Sequence, residues 1–371
     1  MAQHTYSMPK SEYPILQIPS GSTVNVSVID NSRMRLPCSH LLTPLIPQHE
    51  MLNLPSFSFL IEHPTTKRKV LFDLGLRKDL SALPPAVQTF LSESGWDLTV
   101  TKNVTEILKE KNVLPDAIEA VALSHHHFDH LGDLSQLPKD TKIIVGPGFQ
   151  EAYLPGWPIN PESSLIDKDW QEHPIQEIAF SDKSTSLSIG EFQAMDYFED
   201  GSFFLLNAPG HTIGHLAALA RVTAGFHSSS KSSVEHHPND TFVFLAGDIC
   251  HYPGVFRPTQ WLPLDSNAHS IINCCPQTFY HDIHPKKSHV MPFYEMPKQA
   301  TVDEKAARDS IRKLYVFDWS EDVLVIIGHD TSLVGKVDFF PKTVNDWKSK
   351  ANKSNLQWSF LADFGSDLIS S

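Results

Sequence analysis

The stretch LSHHHFDHLGDL, residues 123–134, constrains this chain more than any other feature. Four histidines and two aspartates fall within nine residues, straight after the apolar run AIEAVAL (117–123), which reads as a buried strand. Imidazoles and carboxylates at the end of a buried strand need partners, because an unpaired polar group away from water is costly. Zinc takes neutral imidazole nitrogen and carboxylate oxygen at roughly 2 Å. His125 and His127, two apart on an extended end, can converge on one metal ion. Asp129 and His130, on a turn just after, can converge on a neighbouring position. The chain has 20 histidines in 371 residues. Even so, a chance match to HxHxDH is expected in only about half a percent of such chains, so the pattern carries weight.

The rest of the sequence limits what such a site serves. Hydrophobic residues make up 41% and charged residues 20%, as in an ordinary globular protein. The formal net charge of −13, with no basic patch, speaks against a nucleic-acid partner. No apolar run is long enough for a membrane span, and the polar start MAQHTYSMPKSEYP has no secretory h-region. The four cysteines, Cys38, Cys250, Cys274 and Cys275, form no CxxC pair. They read as free thiols in a reducing compartment, which points to the cytoplasm.

Strand-like runs recur along the chain: VNVSVID (24–30), FSFLIE (57–62), KVLFD (69–73), KIIV (142–145), FFLL (203–206), 216–222, TFVFLA (241–246) and VLVII (323–327). TTK (65–67) reads as a hairpin turn. Residues 80–96 and 104–112 have helical spacing, and TVDEKAARDSIRKLY (301–315) is amphipathic, with Thr301 or Asp303 as its N-cap. Residues 33–55 read as a long loop or flap, 223–240 as a polar surface loop holding His236 and His237, and 255–300 as an irregular insertion. No linker or internal repeat divides the chain, so residues 1–371 are expected to form one α/β domain with those three insertions.

Three further segments share the strand-end context of the histidine cluster, and each is an apolar strand, then a glycine, then a ligand-type residue. They are NAPGHTIGH (207–215), AGD (246–248) and IGHD (327–330). In α/β sheets the C-terminal ends of strands are where ligands bind. The ordered series Asp73 in LFDLG, SHHHFDH, PGHTIGH, AGD and IGHD resembles a metallo-β-lactamase superfamily hydrolase. The resemblance runs from about residue 24 to residue 330. It implies an αββα sandwich of two mixed sheets flanked by helices. By position, it implies that His125, His127 and His211 hold one zinc ion, Asp129, His130 and His329 a second, and that Asp248 bridges both. Manganese, iron or cobalt would suit the same donors. Asp73 is expected either to orient the histidine loop by hydrogen bonds or simply to form a turn before Gly75. His126 is expected to point away, and His215 to be structural.

The same resemblance implies attack by a hydroxide bridging the two ions, with Asp129 in proton transfer and Asp248 in the bridge. The superfamily includes lactonases, thioesterases, nucleases and some oxygenases. The full dinuclear donor set disfavours the mononuclear-iron oxygenases, and the acidic charge disfavours the nucleases. The motif IGHD resembles the quorum-quenching lactonase branch, which points to opening of a lactone or a related cyclic carbamate or lactam. A thioesterase releasing an acyl or polyketide chain is the alternative. Lactonases of that branch carry a tyrosine three residues after the bridging aspartate. Here that position is His251 with Tyr252 next, and one of the two is expected to touch substrate. Leu41, Leu42, Leu45, Ile46 and Met51, with Phe256, Trp261, Phe279, Phe293 and Tyr294, are expected to wall a pocket for a hydrophobic or aromatic small molecule.

Overall fold

The structure, a computed structural model, describes residues 16–180, 187–225, 240–264, 277–350 and 353–364. Most of the 223–240 segment, including His236 and His237, lies outside them, as do Cys274 and Cys275.

Among the described residues the strands fall into two sheets. The first contains β1 (Asn25–Pro37), β2 (Met51–Glu62), β3 (Lys69–Phe72), β4 (Asp97–Val100), β5 (Ala120–Ala122), β6 (Lys142–Val145) and β7 (Ile175–Glu177). Their spatial order is β4-β1-β2-β3-β5-β6-β7. The β4-to-β3 half is antiparallel, and β3, β5, β6 and β7 are parallel. The second sheet contains β8 (Leu187–Ile189), β9 (Phe192–Asp196), β10 (Phe203–Asn207), β11 (Leu216–Thr223), β12 (Thr241–Leu245) and β13 (Val323–Ile326). Its order is β13-β12-β11-β10-β9-β8, antiparallel except for the β12–β13 pair.

Alternation along the strands explains the layering. Phe59, Ile61, Val70 and Phe72 of the first sheet share one core cluster with Phe203, Leu205, Val243 and Leu245 of the second. Their strand neighbours face outward. Leu60, Leu71 and Val121 pack with Val104 and Leu108 of the helix Val104–Glu110. Phe204, Leu206 and Phe244 pack with Ile311, Leu314 and Phe317 of the helix Glu304–Trp319. A sheet buried on both faces needs apolar residues at both periods, and that requirement accounts for near-continuous runs such as TFVFL. The result is the expected sandwich of two mixed sheets between helices.

Three local expectations need correction. Residues 33–55 are not a flap. β1 and β2 form one long antiparallel hairpin, paired from Asn25–Glu62 to Pro37–Met51 with a register shift between Asp30 and Arg33. Leu42 and Ile46, in the connection, are core residues. Residues 80–96 hold a short 3-10 helix at Leu80–Ala82 and an α-helix over Pro85–Ser94, closed by Gly95 in the left-handed region, after which β4 pairs with β1. The 301–315 helix runs instead over Glu304–Trp319, and of its two expected N-caps Asp303 serves, accepting from the Ala306 N–H.

Candidate metal centre

Every proposed metal donor lies just beyond the end of a strand. His125 follows β5. His127 caps the four-residue helix Phe128–Leu131, which carries Asp129 and His130. His211 lies between β10 and β11, Asp248 follows β12 and His329 follows β13. The first sheet therefore supplies four donors and the second sheet three.

Two glycines show why the ligand motifs carry that residue. Gly210 has φ +129, and a Cβ there would lie 2.1 Å from Ala307 N, inside the backbone of the helix Glu304–Trp319. A Cβ on Gly328 would lie 2.7 Å from Asp248 Oδ1 and 3.0 Å from His130 Cε1, filling space between the donors.

The donors form two groups, His125–His127–His211–Asp248 and Asp129–His130–His329, each with its donor atoms within 4.8 Å of one another. Asp248 joins them. Its Oδ2 lies 3.8 Å from His125 Nε2 and from His211 Nε2, 3.3 Å from His130 Nε2 and 3.1 Å from His329 Nε2. Asp129 Oδ2 lies 3.4 Å from His329 Nε2 and 3.7 Å from His130 Nε2.

Hydrogen-bond chemistry tests whether a cation fits here. His211 Nδ1 donates to the Ala300 carbonyl (2.9 Å), so its Nε2 presents a lone pair. Ser124 Oγ donates to Asp73 Oδ2 (2.8 Å) and accepts from His125 Nδ1 (2.9 Å), so His125 Nε2 is also a lone pair. These two lone pairs face each other at 3.2 Å, and a neutral pair in that arrangement has no proton to share. His127 Nδ1 completes the triangle at 2.9 and 3.1 Å. In the second group, His130 Nδ1 donates to Asp73 Oδ2 (2.9 Å) and His329 Nδ1 to the Pro55 carbonyl (2.8 Å). Both Nε2 lone pairs then point at carboxylates. His130 Nε2 and Asp248 Oδ1 are buried without a hydrogen-bond partner. Lone pairs facing one another and facing anions are what a divalent cation between them would satisfy.

The titration behaviour agrees. Burial, with the neighbouring histidines, holds His125 and His211 well below the usual imidazole range, and burial brings His127 down to about 4. These three are neutral donors. Burial also opposes charge on His130 and His329, but Asp248 and Asp129 outweigh it and raise both. Positive charge is demanded where the second ion would sit. Burial disfavours the Asp248 carboxylate, yet His329, His130 and His251 hold it ionised, well below the usual range.

The surrounding residues fix this geometry. Asp73 fills both expected roles. It has φ +60 at the turn, and its carboxylate accepts from the Ser124 N–H (2.6 Å), Ser124 Oγ and His130 Nδ1. His126 turns away and stacks on Tyr153 at 3.7 Å. His215 donates to the Ala208 carbonyl and accepts from the Asp248 N–H, both at 2.9 Å, so it holds the backbone of Asp248.

A cavity of about 480 Å³ opens onto Asp129, Asp248, His251 and His329. His251 Nε2 lies 3.2 Å from Asp248 Oδ2. Tyr252 is directed elsewhere. It is fully buried and donates its hydroxyl to Asp363 Oδ2 (2.9 Å) and the Phe360 carbonyl (3.1 Å), so the structure does not bring it to the cavity. The expected walls also need correction. Leu41 lines the cavity, whereas Leu42, Ile46, Phe256, Phe293 and Tyr294 are core, and Leu45 is exposed on the surface. The walls come instead from Met34, Val87, Phe90, Trp96 and Phe128, together with His40 and Gln299. Sequence reasoning missed them because they come from separate segments, with Met34 and Trp96 brought together by β1–β4 pairing; the signal on hand was Trp96 just after the helix Pro85–Ser94.

Comparison with known proteins agrees with this geometry. The metallo-beta-lactamase superfamily model matches residues 52–190, which include the first four donors. The chain is 37% identical over 364 residues to Gamma-lactamase FDB1 of Fusarium pseudograminearum (strain CS3096), covering 95% of this chain and 85% of that protein. It is 38% identical over 359 residues to Metallo-hydrolase mfmC of Annulohypoxylon moriforme, covering 95% and 90%. The fold matches that of an N-acyl homoserine lactone hydrolase with N-hexanoyl-L-homoserine bound at its catalytic metal center, with a TM-score of 0.54 at 19% identity over 87% of this chain and 99% of that one. With this donor set on this sandwich, and with relatives that align along nearly the whole chain, the protein belongs to the metallo-β-lactamase superfamily of metal-dependent hydrolases.

Proposed function

We propose that this chain is a dinuclear hydrolase that opens a lactone or a related cyclic carbamate or lactam, with the whole chain acting as one catalytic unit in the cytoplasm. The observation that carries the reading is Asp248 Oδ2, one carboxylate oxygen within 3.8 Å of histidine donors from both groups, at the floor of an apolar cavity. Names among the relatives, a gamma-lactamase and a lactone hydrolase, support a cyclic acyl substrate. Two zinc ions, or manganese, iron or cobalt in their place, would lower the pKa of water towards neutrality and polarise the scissile carbonyl.

The chain's own residues do the rest. Asp248, Asp129 and the five imidazoles His125, His127, His130, His211 and His329 would hold the ions. Asp129, which lines the cavity, is placed to take a proton from the attacking water and hand it to the leaving group. His251 lines the cavity and Tyr252 does not, which supports His251 as the group to meet the substrate carbonyl. Phe90, Trp96 and Phe128 bury a flat or lipophilic ring. The cavity volume suits a compact ring better than a carrier-bound acyl chain.

The test is a substrate panel on zinc-loaded protein. Proton release is followed on aliphatic and aryl lactones and lactams, and free thiol on thioesters. Ring opening with thioesters left intact supports the reading. Thiol release with every ring left intact overturns it in favour of a thioesterase, and oxygen uptake by an iron-loaded protein overturns it in favour of an oxygenase.

A further inference from the structure

Among the polar groups on the cavity wall that are not metal donors, His40 is held in a defined orientation. His40 ends the turn Cys38–His40 and lines the cavity. Trp96 Nε1 donates to His40 Nδ1 at 2.8 Å. An indole nitrogen can only donate, so His40 Nδ1 must present its lone pair and the neutral ring carries its proton on Nε2. The two rings lie at 26° with centroids 6.3 Å apart, which holds the imidazole in one plane. Among the described residues Nε2 has no hydrogen-bond partner, and His40 is half-exposed on the cavity.

Gln299, on the same wall, is fixed by similar logic. Its amide nitrogen donates to the Ser39 carbonyl at 3.2 Å, and a carbonyl only accepts, so the NH₂ end is settled and Oε1 is left as a free acceptor. The cavity is therefore lined by a donor, His40 Nε2–H, and an acceptor, Gln299 Oε1, together with Ser164 and the apolar Met34, Leu41, Val87, Phe90, Trp96 and Phe128. A bare ring packed there would cover the Nε2–H without pairing it, and a covered unpaired donor is penalised. A hydroxyl on that ring would accept from His40 Nε2–H.

We propose that His40 is a specificity-determining residue, whose Nε2–H selects an aromatic or lipophilic ring substrate bearing a hydroxyl apart from the bond that is cleaved. The proposal rests on the ring-opening reading above.

The experiment uses zinc-loaded full-length protein and pairs of aryl-fused lactones that differ only in a ring hydroxyl. Calorimetric binding of the corresponding ring-opened acids runs in parallel. Wild-type protein should favour the hydroxylated lactone by roughly tenfold or more in kcat/KM, since a site built to bond a polar group discriminates against the analogue that lacks it. His40→Phe should bring that ratio close to one at unchanged metal content. His40→Gln, which keeps an acceptor for Trp96 and a donor for the ring, should retain most of it. A wild-type ratio near one overturns the proposal, as does an undiminished ratio in His40→Phe. If no lactone is opened, the ring-opening reading is what has failed. Binding of the acid pair then decides on His40, with equal affinities overturning its role.

Discussion

Asp73 shows how one side chain without a place in the cavity governs the donors that have one. Its carboxylate accepts three hydrogen bonds at once, from the Ser124 N–H, Ser124 Oγ and His130 Nδ1. Two of those bonds set tautomers: Ser124 passes the constraint to His125, and His130 is set directly. Asp73→Asn is a clean probe because asparagine also tolerates the left-handed φ of +60 at this position. Its Oδ1 can serve the Ser124 N–H, but its NH₂ cannot accept from His130. Metal affinity should fall about 10- to 100-fold while the fold survives, as is usual when a group orienting metal ligands is lost. Competition with a chromophoric chelator measures it, and an unchanged affinity would refute the role. Asp363 offers a separate residue-scale test away from the donors. Burial raises its carboxyl to about 6, against the Tyr252 hydrogen bond and Lys336, which lower it. The unfolded chain's carboxyl ionises near 4, so between about pH 4 and 6 the folded state holds more protons, and stability contributed by this group falls as pH rises. Asp363→Asn keeps an acceptor for Tyr252 and removes the charge. Urea midpoints of variant and wild type should agree near pH 4, and the variant should be ahead by up to about 2–3 kcal/mol at pH 7.

At the scale of elements, the ligand segments were legible because each obeys one local rule, an apolar strand closely followed by a donor, with a glycine just before the donor in three of the four. That rule placed His125, His211, Asp248 and His329 beyond strand ends from the sequence alone. The β1–β2 hairpin was not legible. Pro37, Pro44, Pro47 and Pro55 read as loop, and the register shift between Asp30 and Arg33 breaks the alternation, so long-range pairing overrides local signals. The cavity walls depend on that pairing, which carries β4 and the helix Pro85–Ser94 towards the donors. Tyr252 was indistinguishable from His251 by position, because only the partner Asp363, more than a hundred residues away, decides which way it turns. The contact between the His211 loop and the helix Glu304–Trp319 is equally tertiary. The Val302 and Asp303 N–H groups both donate to the Gly210 carbonyl at 3.0 Å, and His211 donates to Ala300. Gly210→Ala would drive a Cβ into the Ala307 backbone and strain a φ of +129. We expect a loss of at least about 2 kcal/mol in stability. On the dinuclear reading, metal content by elemental analysis should fall by up to half, since the second group does not include His211. Full occupancy with wild-type stability would show that the helix does not position this loop.

At the scale of the whole molecule, the donors link the two halves of the sandwich. His125, His127, Asp129 and His130 come from the first sheet, and His211, Asp248 and His329 from the second. Backbone contacts already bridge the halves at this edge. The Phe57 N–H donates to the Gly328 carbonyl at 3.0 Å, and the Leu216 N–H to the Ser124 carbonyl at 2.8 Å. The ions would act as a further cross-link, and a ligand that binds only the folded state stabilises it by mass action, by about 2.7 kcal/mol at a hundredfold excess over its dissociation constant. Without them, the lone pairs of His125, His127 and His211 are left facing one another inside the protein. Complete removal of metal by a strong chelator should therefore lower the melting temperature by on the order of 5 °C or more, and added zinc should restore it. The loss should be local in origin. Amide exchange should quicken first at the site ends of β5, β12 and β13 and along Pro55–Phe57. The β8–β9 hairpin, at the opposite edge of the second sheet, should keep its protection. A chelated protein verified to be metal-free, yet with unchanged melting and exchange, would mean that the hydrogen bonds at this edge suffice and that the ions serve chemistry alone.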